Sequence, residues 1–224
     1  MPQTVLIITP LQEEYDDLYN GLTAHGLAPQ NNQIGKLDVH RFPEISAALA
    51  RGGHGKTQFG IQTQYLLDHA HFDLVVCAGA AGALAPEVRV GDLIVATSTF
   101  EHDYNLKFVK RANPQFEGHS RSIEQIKGLD LDAEFNIHFG VMASGDEDVL
   151  DIERGKELRE MSNALGVAWE GVGGARACKF SGVPFLELRG ATDTANHEAP
   201  AVFDENLKIV MRNMALLLVT WLRK

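Results

Sequence analysis

Glu14, Glu170 and Asp193 each stand where an apolar, strand-like run gives way to a helix or loop, the place where open α/β sheets gather their chemistry. Glu14 lies in Thr9-Pro10-Leu11-Gln12-Glu13-Glu14-Tyr15, directly after Val5-Leu6-Ile7-Ile8. Glu170 lies in Ala168-Trp169-Glu170-Gly171, and Asp193 closes Arg189-Gly190-Ala191-Thr192-Asp193. Carboxyls facing one pocket can divide the roles of acid and base, the pairing that cuts a glycosidic bond. Their wide separation along the chain implies one site drawn from its whole length. Each also fits a plainer part: Glu14 a first-turn carboxylate favoured by the helix dipole, Asp193 an N-cap or turn residue, Glu170 a solvated or salt-bridged side chain. Glu13, beside Glu14, reads as a surface carboxylate.

The elements that must position these residues alternate in type. Strand-like runs at residues 5–8, 45–50, 74–78, 93–97, 139–143 and 185–188 interleave with helix-like segments at 12–24, 56–69, 151–165, 173–180 and 203–223. This order predicts an α/β fold, one domain over residues 1–224 with a mixed, largely parallel central sheet flanked by helices. Loops are expected at Pro29-Gln30-Asn31-Asn32, at Gly52-Gly53-His54-Gly55 and over the polar stretch 102–121. The closing segment, residues 203–222, carries apolar residues at helical spacing and reads as a core-packing helix, with a dimer contact as the other option.

Composition narrows the partners. A formal charge of -10 disfavours binding along a phosphate backbone, which rests on clustered Lys and Arg, while a nucleoside-sized ligand remains compatible. The 2 cysteines, Cys77 and Cys178, suggest buried thiols and offer neither a disulfide framework nor a four-cysteine zinc site. The start, Met1-Pro2-Gln3-Thr4, lacks a secretory n-region, and no run reaches the roughly 18 apolar residues of a membrane span. A cytoplasmic protein that uses no membrane is therefore expected.

Two glycine-rich segments follow strand-like runs: Gly52-Gly53-His54-Gly55-Lys56, and Ala78-Gly79-Ala80-Ala81-Gly82-Ala83-Leu84. Both read as turns whose backbone could approach a ligand closely. Neither is a dinucleotide fingerprint, and Gly55-Lys56-Thr57 only mimics a P-loop, because the first glycine of that motif is replaced by Ala50. His102-Asp103 reads as a pair that positions a loop, and the histidines show no metal-ligand spacing.

Together these pieces resemble the purine nucleoside phosphorylase and nucleosidase superfamily, and within it the methylthioadenosine/S-adenosylhomocysteine nucleosidases. The resemblance is carried by residues 9–15, Gly53-His54-Gly55-Lys56, residues 78–84, Val90-Gly91-Asp92-Leu93-Ile94-Val95, His102-Asp103 and Ser144-Gly145-Asp146. It continues through Glu170 and through Val183-Pro184-Phe185 leading to Asp193. It implies a purine nucleosidase needing no cofactor or metal. Asp193 would be the acid for purine N7, which near pH 7 requires a pocket that raises its pKa. Glu14 would activate the attacking water and Glu170 would grip the ribose hydroxyls. Gly79 and Ala80, Ser144, Asp148 and Val149, and Trp169 would complete the substrate pocket. Residues 104–116 correspond to a loop that closes the partner subunit's pocket, so Phe108 and Phe116 are candidates for that contact in a homodimer.

The chain also departs from the pattern. Ala168-Trp169-Glu170 replaces a Glu-Met-Glu run, Glu147, Asp148 and Val149 replace a purine-stacking aromatic, and Ala80 replaces a serine. Cys77 stands where the phosphorylases carry an arginine, which favours water over phosphate as acceptor. Arg51, Arg89 and Arg189 leave phosphate open as an alternative, as do futalosine as substrate and a non-catalytic nucleoside sensor.

Overall fold

The computed structural model describes residues 4–109, 111–196 and 199–223. Residues 1–3 of the starting segment, and Lys110 within the 104–116 loop, fall outside it. In chain order the elements are β1 (Val5–Thr9), α1 (Gln12–Ala24), β2 (Gln30–Ile34), β3 (Leu37–Phe42), β4 (Ala47–Arg51) and α2 (Gly55–His69). There follow β5 (Leu74–Ala83), β6 (Leu93–Glu101), β7 (Gln115–Glu117), α3 (Ser120–Lys127) and β8 (Ile137–Ser144). The chain continues with α4 (Ile152–Ser162), β9 (Ala164–Ala168), α5 (Gly171–Ser181), β10 (Phe185–Asp193) and α6 (Ala199–Leu222).

These strands form one mixed sheet, and β5 is its hub. Parallel pairings join β4 to β1, β1 to β5 and β5 to β10. The same β5 pairs antiparallel with β9 through Gly82 and Val167, while β10 meets β6, β6 meets β8 and β8 meets β9. The strands β5, β10, β6, β8 and β9 therefore close into a ring, with β1, β4, β3 and β2 extending from it as an open wing.

Side-chain alternation explains the layers. On β1 every residue is buried. Val5 and Ile7 face a cluster with Leu18 and Leu22 of α1 and Leu207, Met211 and Leu218 of α6. Leu6 and Ile8 face the opposite cluster, with Phe59 and Leu66 of α2 and Ala175 and Cys178 of α5. A strand covered on both faces reads as an unbroken apolar run, as Val5–Ile8 does. The last helix packs in the core through Leu207, Val210, Met214 and Trp221. Among the described residues no helix is long and apolar enough to cross a membrane.

The structure corrects several expectations. The second glycine-rich segment is not a turn: β5 runs through Gly79 and Gly82 to Ala83. Small residues let a central strand bend into ring closure and approach other backbones. The expected loop at 29–32 becomes β2, hairpin-paired with β3. The helix expected over 151–165 stops at Ser162, because Asn163 takes a left-handed conformation (φ 55°), and Leu165 joins β9. The polar stretch 102–121 contains β7 and the start of α3.

Candidate active site

Glu14 sits on the first turn of α1, where two backbone amides converge on it. Its Oε2 accepts from Leu11 N at 2.7 Å and its Oε1 from Ala80 N at 2.7 Å. The plain helix-terminal role and a functional one thus coincide, since the first bond caps α1 and the second ties α1 to β5. Burial pushes the carboxyl up to about 7, aided by the charge of Glu170, while Arg189 and the amides of Ala80 and Leu11 pull the other way. Gly79 makes room for this arrangement: a Cβ there would lie 2.6 Å from Arg189 Nη1 and 2.8 Å from Glu14 Oε1.

Glu170 ends the β9–α5 connection. Its Oε1 accepts from Gly55 N at 3.1 Å, and its Oε2 lies 3.2 Å from Arg189 Nη2. The first glycine-rich turn therefore aims its amides at the chain's own carboxylates, with Lys56 N donating to Asp146 Oδ1 at 2.8 Å. Among the described residues lining the cavity onto which Glu14 and Glu170 open, Arg189 and His54 are the only basic side chains. Arg189 is buried, ion-paired through Nε to Glu187 Oε1 at 2.8 Å, and donates through Nη1 to Ala80 O at 3.1 Å. Thr99 Oγ1 satisfies the other oxygen of Glu187 at 2.6 Å.

Asp193 closes β10 after a register shift between Ala191 and Asp193. A bulge of this kind re-aims a side chain at a sheet rim. Thr192 Oγ1 donates to Asp193 Oδ2 and Ala195 N to Asp193 Oδ1, each at 2.8 Å. Ala195 itself holds a left-handed φ of 47°, a conformation that costs a residue bearing a Cβ and so marks a place where geometry is imposed from outside.

All three carboxylates line one cavity of about 380 Å³, the size range of small-molecule sites. Ala80, Asp148, Val149, Trp169 and Arg189 line it too, with Phe203 from α6 and His54 from the turn before α2. Gly79 and Ser144 stand behind its wall. Ser144 Oγ donates to Trp169 O at 2.9 Å and accepts from Val172 N at 3.1 Å, fixing the turn that presents Trp169 and Glu170. Glu147 also lines the cavity, held below the ordinary carboxylate range by a two-pronged bond from Arg154. His102 is buried beneath Gly145, and Asp103 accepts from Lys56 Nζ and Asp146 N.

Phe108 and Phe116 do not reach this cavity in the same chain. Phe108 is fully exposed, and Phe116, on β7, packs at the edge of the α2–α5 core beneath the cations of Arg176 and Lys179. Among the described residues no group of three or more His, Cys, Asp or Glu is placed to hold a metal ion. His54 and Phe203 carry no signal in the sequence that marks them as lining residues, and Arg189 reads there only as a possible phosphate ligand. A basic residue two positions after Glu187 on a strand as apolar as Phe185–Leu188 was the available signal for a buried pair.

Strand-end carboxylates round a nucleoside-sized cavity on this mixed sheet define a class, and comparison gives the same one. Residues 4–223 match the Phosphorylase superfamily, to which the chain belongs. Within it, the chain is an N-glycosyl hydrolase. It is 30% identical over 185 residues to the 5'-methylthioadenosine/S-adenosylhomocysteine nucleosidase of Tolumonas auensis, covering 79% of this chain and 80% of that one. It is 27% identical to the enzyme of the same name from an Exiguobacterium species, covering 93% of each. The solved structure of the S. pneumoniae enzyme of that name with a transition-state inhibitor superimposes with a TM-score of 0.85 at 27% identity, over 98% of both chains.

Proposed function

We propose that residues 1–224 act as one domain that hydrolyses the N-glycosidic bond of an adenosine-type nucleoside, with 5'-methylthioadenosine or S-adenosylhomocysteine as substrate. The observation that carries this reading is the convergence of Glu14, Glu170 and Asp193 on one cavity. Asp193 gives its proton to purine N7 as the C1'–N9 bond breaks and its electrons pass to the base. The sugar becomes oxocarbenium-like, and Glu14 takes a proton from the water that attacks C1'. Glu170 accepts hydrogen bonds from the 2'- and 3'-hydroxyls and places negative charge near the cationic sugar. Val149 offers the base an apolar face, Asp148 an acceptor for its amino group, and Trp169 packs on the sugar.

Water is the acceptor in this reading. Arg51 and Arg89 are exposed and line no part of the cavity, and the Arg189 guanidinium is already shared between Glu170 and Glu187. A phosphate dianion would meet carboxylates without a free cationic fork. The protein works as a homodimer: Ile61 of α2 and Phe180 of α5 are 65% and 85% exposed and share one groove, an apolar face that a second copy would cover. Two free, buried cysteines suit the reducing cytoplasm. Sedimentation of the wild type and of Phe180→Glu should give a dimer and a monomer respectively.

The deciding experiment measures free-base release from methylthioadenosine, S-adenosylhomocysteine, adenosine, inosine and futalosine, with and without phosphate. Phosphate-independent adenine release that falls by about 10²–10⁴-fold in Asp193→Asn is the expected result. Binding without release from any of the five would replace catalysis with a sensor role.

A further inference from the structure

Glu187 is a buried carboxylate to which the proposed reaction gives no task. It stands in β10 between Leu186 and Leu188, which face the cluster with α1 and α6. Its own side chain takes the strand's other face, against the start of α5, and leaves no room for a Cβ on Gly171, the first residue of that helix. The positive end of α5 suits a carboxylate there. Glu187 does not line the cavity that Glu14, Glu170 and Asp193 share, whereas Arg189 does. An apolar side chain at 187 would continue the run Phe185–Leu188 without the cost of burying a charge, so packing alone gives no reason for a glutamate.

Its bonds supply the reason. Glu187 Oε1 accepts from Arg189 Nε at 2.8 Å, and its Oε2 accepts from Thr99 Oγ1 of β6 at 2.6 Å. A bond at Nε fixes the plane of the guanidinium and so the direction of both Nη groups. Nη1 donates to Ala80 O at 3.1 Å, and Nη2 to Glu170 Oε2 at 3.2 Å and to Cys77 Sγ at 3.4 Å. Ala80 is also the residue whose amide donates to Glu14 Oε1. One guanidinium therefore braces the ribose-gripping carboxylate and the stretch of β5 that holds the base.

Charge points the same way. Burial pushes the Cys77 thiol up, so it stays neutral beside Arg189. Burial and Glu170 favour the protonated form of Glu14, and Arg189 opposes them. The other titratable groups on the cavity wall are His54, 3.5 Å from Glu170 Oε1, with Asp193, Glu147 and Asp148. We propose that Glu187 is a positioning residue of this site: it anchors Arg189 so that the Nη groups meet Glu170 and Ala80, and it supplies the countercharge that balances Arg189 beside Glu14. The inference rests on the nucleosidase reading and deepens it.

Two variants separate reach from charge. Glu187→Gln keeps the length and the bonds to Arg189 and Thr99 but loses the charge, while Glu187→Asp keeps the charge and loses the reach. With the countercharge gone, Arg189 favours the ionised form of Glu14 more strongly. The rising limb of kcat/KM against pH should then move down by about half a pH unit or more in Glu187→Gln. In Glu187→Asp the limb should stay at its wild-type pH while kcat/KM falls by about tenfold or more, as a displaced guanidinium misplaces Glu170. Denaturant unfolding across pH reads the same Glu14 proton without substrate: the range over which stability declines should end at lower pH in Glu187→Gln than in the wild type. A limb and a stability range both unmoved in Glu187→Gln, or moved equally in Glu187→Asp, would overturn the assignment and leave Glu187 a packing residue. Absence of adenine release from the wild type would overturn the nucleosidase reading instead, and the stability range would still decide whether Glu187 balances Arg189.

Discussion

Glu14 owes both its usefulness and its cost to burial. Its proton is held to about 7 in the folded chain, against 4.5 for the same group in water. With Glu14 as the proposed base, kcat/KM for adenine release should rise with pH through about 7. Stability should move the other way. A carboxyl with a raised folded pKa keeps its proton in the native state after the unfolded chain has lost it, so stability falls as pH climbs from about 4.5 to about 7. Glu14→Gln should remove this slope, a difference on the order of 3 kcal/mol between the two ends of the window, measured by denaturant unfolding at several pH values. Gly79 guards the same geometry. Gly79→Ala should lower kcat by about tenfold or more, because misplacing a catalytic group by a fraction of an ångström is costly, while the folded chain persists on a thermal melt.

Among the elements, α2 and α5 pack backbone to backbone where Gly173 faces Lys56: a Cβ on Gly173 would sit 2.1 Å from Lys56 O. Gly173→Val should force these helices apart at a cost of about 1–3 kcal/mol, seen as a lower denaturant midpoint, and loosen the turn holding Glu170. The strongest periodicities were the most legible. Helix α1 has the bounds the sequence suggests, Gln12–Ala24, and the fully buried strand β1 shows as an apolar run. The hairpin strand β2 hid because Gln30, Asn31, Asn32 and Gln33 are exposed on an edge, where pairing demands no apolar pattern. Strand β9 hid behind α4, since only the left-handed Asn163 separates them. The far half of β5 looked like a turn because Gly and Ala there serve closure and close approach. The three carboxylates were visible in the sequence because each stands at or shortly after the end of an apolar run, and one cavity is lined by all three. Their partners were not, since Arg189 reaches Glu170 only once β10 lies beside β5.

At the scale of the whole molecule, Arg189 offsets two buried carboxylates, those of Glu170 and Glu187. Arg189→Met would strand both, and should destabilise the chain by about 3–5 kcal/mol in chemical denaturation. The closed ring of strands also sets an order of events in time. Strand β5 is complete by residue 83, but its neighbour β10 begins at residue 185, so about a hundred further residues must be made before that edge is covered. Until then a nascent chain exposes an apolar, unpaired strand edge, the kind that recruits other chains. Because Asp193 is the last residue of the strand that seals the ring, a ribosome-bound fragment ending before it would carry Glu14 and Glu170 and yet lack the proposed acid. The proposed acid thus arrives in the same step that covers the exposed edge.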